Sequence, residues 1–331
     1  MKRGLVLGKF APLHRGHQTL IEASLAAMDE TIVLVYEARI VSRIPLEVRA
    51  GWIRQLYPQV RVIEGHNAPE ETGHEPVIMK LQDDYVRRMM PASITHFFSS
   101  EWYGEHVSRA LGAVNVQVDP NRERVPITGT SLRQDPFAHR RYVTPVVYRD
   151  LVRWIVLLGA ESTGKSTLAA GLAKACDTTW LPEYGREYWE THRADDGTLT
   201  PDQLVELARG HREREERAVW EARRLFFVDT DARITQCYSR WYHCGRVRPE
   251  LMAMADEAKG RYHLAILCGD DIPYSEDGTR AGEKRRREAQ EEIRAELKVA
   301  GAPWLEVTGS VPERIAAVRQ AITHFRLDAW C

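Results

Sequence analysis

No apolar run in these 331 residues approaches the roughly 20 residues that cross a bilayer as a helix. The opening Met1-Lys2-Arg3 leads into Gly4-Leu5-Val6-Leu7, too short a stretch for a signal peptide. Net charge is almost absent: 46 Lys and Arg face 47 Asp and Glu, a formal −1. A nucleic-acid binder normally carries a net basic footprint, so none is expected as a partner. Small phosphorylated ligands need only local positive charge and are not excluded. The five cysteines are odd in number and never form Cys-x-x-Cys. That argues against a disulfide framework or a cysteine zinc site and fits a reducing, cytoplasmic setting. Internal repeats and low-complexity linkers are missing too.

What is present is an alternation of short apolar runs with amphipathic stretches. Leu5–Leu7, Thr31–Tyr36, Val60–Ile63, His96–Phe98 and Val114–Val118 read as strands. His17–Ala27 and Leu46–Leu56 carry apolar residues at helical spacing. The pattern resumes with Ile155–Leu158, Thr178–Leu181, Leu225–Val228, Leu264–Leu267 and Trp304–Val307, and closes on a helix from Pro312 to about Phe325. The expectation is α/β, two mostly parallel sheets covered by helices, in two domains spanning 1–149 and 150–331. The charge-dense segments Arg209–Arg224 and Glu283–Lys298 read as solvated helix faces.

Each half opens on a phosphate-handling signature. In the first, Gly8-Lys9-Phe10-Ala11-Pro12-Leu13-His14-Arg15-Gly16-His17 follows a strand and enters a helix. Gly16 permits close backbone approach, and the helix start offers unpaired N–H groups to an anion. Two imidazoles three positions apart can stabilise charge developing on one phosphate. Ile127-Thr128-Gly129-Thr130-Ser131-Leu132-Arg133 adds hydroxyls, amides and an Arg suited to the β- and γ-phosphates of ATP.

In the second half, Gly159-Ala160-Glu161-Ser162-Thr163-Gly164-Lys165-Ser166-Thr167 sits between a strand and a helix, the setting a P-loop requires. Its amides wrap phosphates, Lys165 reaches the β/γ oxygens, and Ser166 is an expected Mg²⁺ ligand. Asp229, at the end of a buried-type strand, is the expected second carboxylate of the metal site. Asp231 is the candidate for taking the proton of an acceptor hydroxyl. Glu183-Tyr184-Gly185-Arg186 joins an acid, a ring and a guanidinium: Glu183 for ribose hydroxyls, and Tyr184, Tyr188 or Trp189 for a cationic ring. Arg280, in the run Asp270–Arg280, or a basic residue among Lys284 to Arg287, is the candidate to close over a transferred phosphoryl group, the other reading of Arg285–Arg287 being an exposed basic helix face.

The first pair of segments resembles the HxGH nucleotidyltransferase superfamily, with Thr128 where Ser is usual. The resemblance makes Lys9, His14, His17 and Arg133 phosphate-binding and catalytic, and Thr130 the motif threonine. Gly8, Phe10 and Ser131 join them as ATP-site residues. Adding the P-loop, Ser99-Ser100-Glu101-Trp102-Tyr103-Gly104, Glu183–Arg186 and Gly269–Pro273, nearly the whole chain is similar to the NadR-type bifunctional enzymes. That implies a Rossmann-like adenylyltransferase domain followed by a P-loop kinase domain. It implies ATP, nicotinamide riboside, nicotinamide mononucleotide and NAD as ligands, with Mg²⁺. Arg39, Arg43, Arg49 and Trp52 are the candidates for gripping the mononucleotide. With a strand starting at residue 4, the helix-turn-helix of enteric members has no counterpart, so an enzyme is expected rather than a repressor. A nucleotide-sensing regulator with inactive sites, or a different substrate pair, stays open, as does homo-oligomerisation.

Overall fold

The computed structural model describes residues 1–71, 73–194, 197–273 and 283–327. The chain divides into two compact units, one built from Met1–Tyr148 and the other running on from Arg149. In the first, β1 (Arg3–Gly8), β2 (Glu30–Tyr36), β3 (Arg61–Gly65), β4 (His96–Ser99) and β5 (Val114–Gln117) form a parallel sheet in the order 3-2-1-4-5. In the second, β6 (Arg153–Leu158), β7 (Trp180–Leu181), β8 (Leu225–Asp229), β9 (Leu264–Cys268) and β10 (Trp304–Val307) form another, in the order 10-9-6-8-7.

Strands covered on both faces need continuous apolar sequence. β1 and β6 supply it: Leu5, Val6, Ile155, Val156 and Leu157 are inaccessible to solvent. The helix Arg15–Ala27 lies tight on β1, because a Cβ on Gly4 would stand 2.1 Å from Ser24 Oγ. In both sheets the strand order reverses beside the first strand, so crevices open at the carboxyl ends of β1 with β4 and of β6 with β8.

Two expectations about charge-dense segments need correction. The helix Pro201–Ala218 buries His211 and Glu215, because that face packs against β7 and the helices Ala232–Tyr242 and Pro249–Arg261. In the helix Glu283–Ala300, Arg286 is buried too, drawn in by carbonyls of the P-loop region, while Arg285 and Arg287 are exposed. Among the described residues, no helix is long and apolar enough to cross a membrane.

Candidate active sites

The first crevice holds a cavity of about 390 Å³ lined by Gly8, Lys9, Phe10, His14, His17 and Arg133, among others. Phe10 takes a left-handed φ of 45° and is fully buried, so the chain after β1 turns back and presents Lys9. The His14 and His17 rings stack at 3.7 Å between centroids, and Phe10 meets His17 edge-on at 4.9 Å. His17 Nδ1 accepts the His14 amide at 3.4 Å, which fixes the second ring over the helix start. A side chain at residue 16 would come within 3.1 Å of the His14 ring, which is why glycine serves there.

The second segment closes the same crevice. Thr128 Oγ1 caps the helix Gly129–Gln134 by accepting the Ser131 amide at 3.0 Å. Arg133 spans the gap, donating to Ala11 O at 2.9 Å and to Thr130 Oγ1 at 3.1 Å. The Ser131 hydroxyl is instead engaged by Thr128 at 2.7 Å and does not line the cavity.

The electrostatics of this cavity are set by burial and by neighbouring arginines. Burial, then Arg122 and Arg133, lower His14 to about 3, and burial with His14 and the same arginines holds His17 well below the ordinary imidazole range. Burial and Arg133 depress Lys9 as well. Burial and neighbouring positive charge both disfavour the protonated form of an imidazole or an amine. His14 Nδ1 is buried with no hydrogen-bond partner.

The expected mononucleotide grip is not placed here. Trp52 is only 2 % exposed and does not line the cavity, because the helix Leu46–Leu56 packs that side against β2 and β3. Arg49 is buried and donates to the carbonyls of Lys9, Tyr36 and Ile44, so it fastens the loop after β2 to the loop after β1. Arg43 is exposed outside the cavity, and Arg39 pairs with Glu37 at 2.9 Å. The cavity wall carries two residues that sequence reasoning missed. Trp102 is 47 % exposed and meets the His74 ring at a tilt, 3.8 Å between centroids; Arg122 pairs with Glu101 at 2.5 Å. The Ser-Ser-Glu-Trp-Tyr-Gly segment was the available signal, read for family and not for position.

The second cavity, about 670 Å³, lies at the ends of β6 and β8. Gly159 and Gly164 have φ of 144° and 80°, and Ser162 joins them at 58°, so the loop winds tightly between β6 and the following helix. Its outward carbonyls are held from behind. Arg314 Nη1 donates to Thr163 O at 2.8 Å and Arg286 Nη2 to Ser162 O at 3.1 Å, while Gln290 accepts the Ala160 amide at 2.9 Å. Lys165 Nζ rests on the carbonyls of Gly159 and Ala160 at 3.0 and 2.9 Å. Ser166 Oγ donates to Asp229 Oδ2 at 2.5 Å. Glu161, Ser162, Thr163, Gly164 and Thr167 line the cavity with Glu183, Tyr184 and Arg186. Arg280 lies outside the described residues.

Asp231 also lines the cavity, but its carboxylate is committed. Oδ1 accepts the Arg233 amide at 2.9 Å, and Oδ2 accepts Arg233 Nε and Nη2 at 2.9 and 2.7 Å. That geometry corrects the expectation of a free base there. Glu183, by contrast, has no hydrogen-bond or ion-pair partner among the described residues. Burial raises its pKa, Asp229 and Glu161 push the same way, and Lys165 and His211 oppose them. The rings divide as well. Tyr188 is buried with its hydroxyl on Glu206 and does not line the cavity, whereas Tyr184 and Trp189 line it with Arg214 and Arg193 over one face of each. Tyr238 and Tyr242, one turn apart on the helix Ala232–Tyr242, face the same space and were not foreseen.

Comparison with known proteins converges on one group. Residues 154–314 match a family model described as an AAA domain. Over 296 residues the chain is 32% identical to the trifunctional NAD biosynthesis/regulator protein NadR of Escherichia coli (strain K12), covering 84% of this chain and 71% of that protein. The chain belongs to the NadR family. The NadR protein of Salmonella typhimurium (strain LT2) is 32% identical over 315 residues, 89% of this chain and 75% of its own length. A nicotinamide-nucleotide adenylyltransferase of Methanoculleus marisnigri is 26% identical over 168 residues, 47% of this chain and 92% of that protein. A crystal structure of a NadR protein with NAD and AMP-PNP shares the fold with a TM-score of 0.58 at 21% identity, covering 98% of this chain and 96% of that one.

Proposed function

We propose that this NadR-family chain is a bifunctional enzyme of NAD salvage. Its second unit phosphorylates nicotinamide riboside with ATP, and its first unit adenylates the resulting mononucleotide to NAD. The observation that best supports the reading is two separate cavities, one lined by His14, His17 and Arg133 and the other by Lys165 and Ser166, whose hydroxyl bonds to Asp229.

In the first unit, an oxygen of the mononucleotide phosphate attacks the α-phosphorus of ATP, and the α–β bridging oxygen departs with pyrophosphate. Lys9, Arg122 and Arg133 hold the triphosphate, and the two imidazoles donate hydrogen bonds to oxygens that gain charge in the transition state. Trp102, exposed on the wall, supplies a face for the pyridinium ring.

In the second unit, the riboside 5′-hydroxyl attacks the γ-phosphorus and ADP leaves. Glu183, the carboxylate left free of partners, accepts the hydroxyl proton. Tyr184, Trp189, Tyr238 and Tyr242 surround the acceptor. Ser166 and Asp229 offer only oxygen donors, and no cation pairs with Asp229 among the described residues, a donor set that fits Mg²⁺. Bound there, Mg²⁺ would neutralise phosphate charge.

The deciding assay gives purified protein nicotinamide riboside and Mg–ATP and follows products by chromatography. The expected outcome is mononucleotide, then NAD with pyrophosphate. Failure to form any mononucleotide from the riboside rejects the kinase assignment.

A further inference from the structure

Between Asp229 at the end of β8 and Asp231 on the wall of the second cavity, the backbone is held in an unfavourable shape. Thr230 has a φ of 73°, a left-handed value that a β-branched residue adopts only where its surroundings enforce it. Two contacts do so. The Thr230 amide donates to Leu157 O on β6 at 3.0 Å, and its carbonyl lies 3.1 Å from His211 Nε2 on the helix Pro201–Ala218. A carbonyl can only accept, so Nε2 carries the proton. His211 is 5 % exposed. Glu215, one turn on, lies 3.6 Å from the same nitrogen, and its carboxylate accepts Arg261 Nε at 2.7 Å and Tyr262 Oη at 2.6 Å.

We infer that His211 is a positioning residue: by holding the Thr230 carbonyl it maintains the left-handed turn that leaves Asp229 against Ser166 while Asp231 swings away to Arg233. The inference rests on the reading of Ser166 and Asp229 as the metal-binding pair, and not on the identity of the acceptor. Without the His211 bond, Thr230 is free to relax toward negative φ, and a peptide rotation there reorients the carboxylate on either side. Partners standing behind metal-site groups typically account for about 10–100-fold in metal affinity or activity. His211 also touches the cavity, so a rival role as a wall for the riboside must be separated.

The test measures binding of a fluorescent ATP analogue, with and without Mg²⁺, in full-length protein carrying Lys9→Ala and Arg133→Ala to silence the first cradle. His211→Leu is expected to reduce the Mg²⁺-dependent gain in affinity about 10-fold or more and leave metal-free binding unchanged. His211→Gln, which keeps an N–H donor, should retain most of the gain. Thr230→Gly, which adopts positive φ without strain, should restore it in the His211→Leu background. Equal loss with and without Mg²⁺, or no restoration by Thr230→Gly, overturns the inference. So does a rise in riboside KM alone with the Mg²⁺ response intact. Should His211→Leu fail to fold, the pair His211→Gln and His211→Gln/Thr230→Gly decides, the second being expected to match the parent and overturning the inference if it falls below the single variant. A parent that binds Mg–ATP yet makes no mononucleotide rejects the substrate assignment and leaves this readout standing.

Discussion

The two crevices, each beside a loop that leaves the first strand of its sheet, fix their polar groups in different ways. In the first, Lys9, His14, His17 and Arg133 face one cavity, Arg133 is fixed on Ala11 O and Thr130 Oγ1, and His14 Nδ1 is buried without a partner. The second is folded onto itself. Lys165 bonds to two carbonyls of its own loop, and Ser166 to Asp229. In the first, Arg133 is held by a carbonyl and a hydroxyl and Arg122 by Glu101. On the proposed reading both sites exchange internal hydrogen bonds for bonds to phosphate, so net affinity reflects a difference between two sets of similar bonds. A site shaped by side chains and a site shaped by a backbone loop therefore depend on different residues for their shape.

The largest expected effect concerns the second site alone. Glu183→Gln should lower kcat for riboside phosphorylation about 10²–10⁴-fold, the usual range for a general base. Because burial raises the Glu183 pKa above the ordinary carboxyl value, wild-type phosphorylation should rise with pH through that raised pKa as the carboxylate forms. The variant should lose that acidic limb. An unchanged profile would remove Glu183 from the chemistry.

Next comes a crossed pair that tests whether the cradles act separately. Lys165→Ala should reduce phosphorylation about 10²–10³-fold and spare adenylyl transfer, and His17→Ala should do the reverse, as for a donor aimed at developing charge. Loss of both reactions from either change would break the comparison.

The smallest effect on rate but the sharpest on assignment separates two tryptophans. Trp52→Ala should destabilise the protein by about 3–5 kcal/mol, as for a large aromatic removed from a core. Trp102→Ala should leave melting unchanged and raise the KM for the mononucleotide severalfold, as expected for loss of about 1 kcal/mol of cation–π contact. Thermal melts and adenylyl-transfer kinetics on both variants decide it.

Much of the scaffold was legible in the chain. The segments Trp304–Val307 and Leu46–Leu56 were placed as they fold, and the other strands within a few residues of their ends, because strands covered on both faces leave unbroken apolar runs. The nucleotide loops were legible because a backbone that must approach phosphate closely needs glycines at fixed spacing. Roles that depend on which side of an element meets the cavity were not legible. Arg49 and Trp52 have the chemistry to hold a nucleotide, yet both are buried in helix packing. Asp231 has the chemistry of a base, yet its neighbour Arg233 occupies it.

The order of residues thus determined by itself that the chain builds two parallel α/β sheets and where each phosphate loop lies, since periodicity and glycine spacing are local properties. Only the tertiary structure decided which carboxylate stays free, which indole reaches the cavity and which histidine supports a strained turn. Those outcomes depend on partners brought together by packing, among them Thr230 against His211 and Ala11 against Arg133, separated by 19 and 122 residues along the chain.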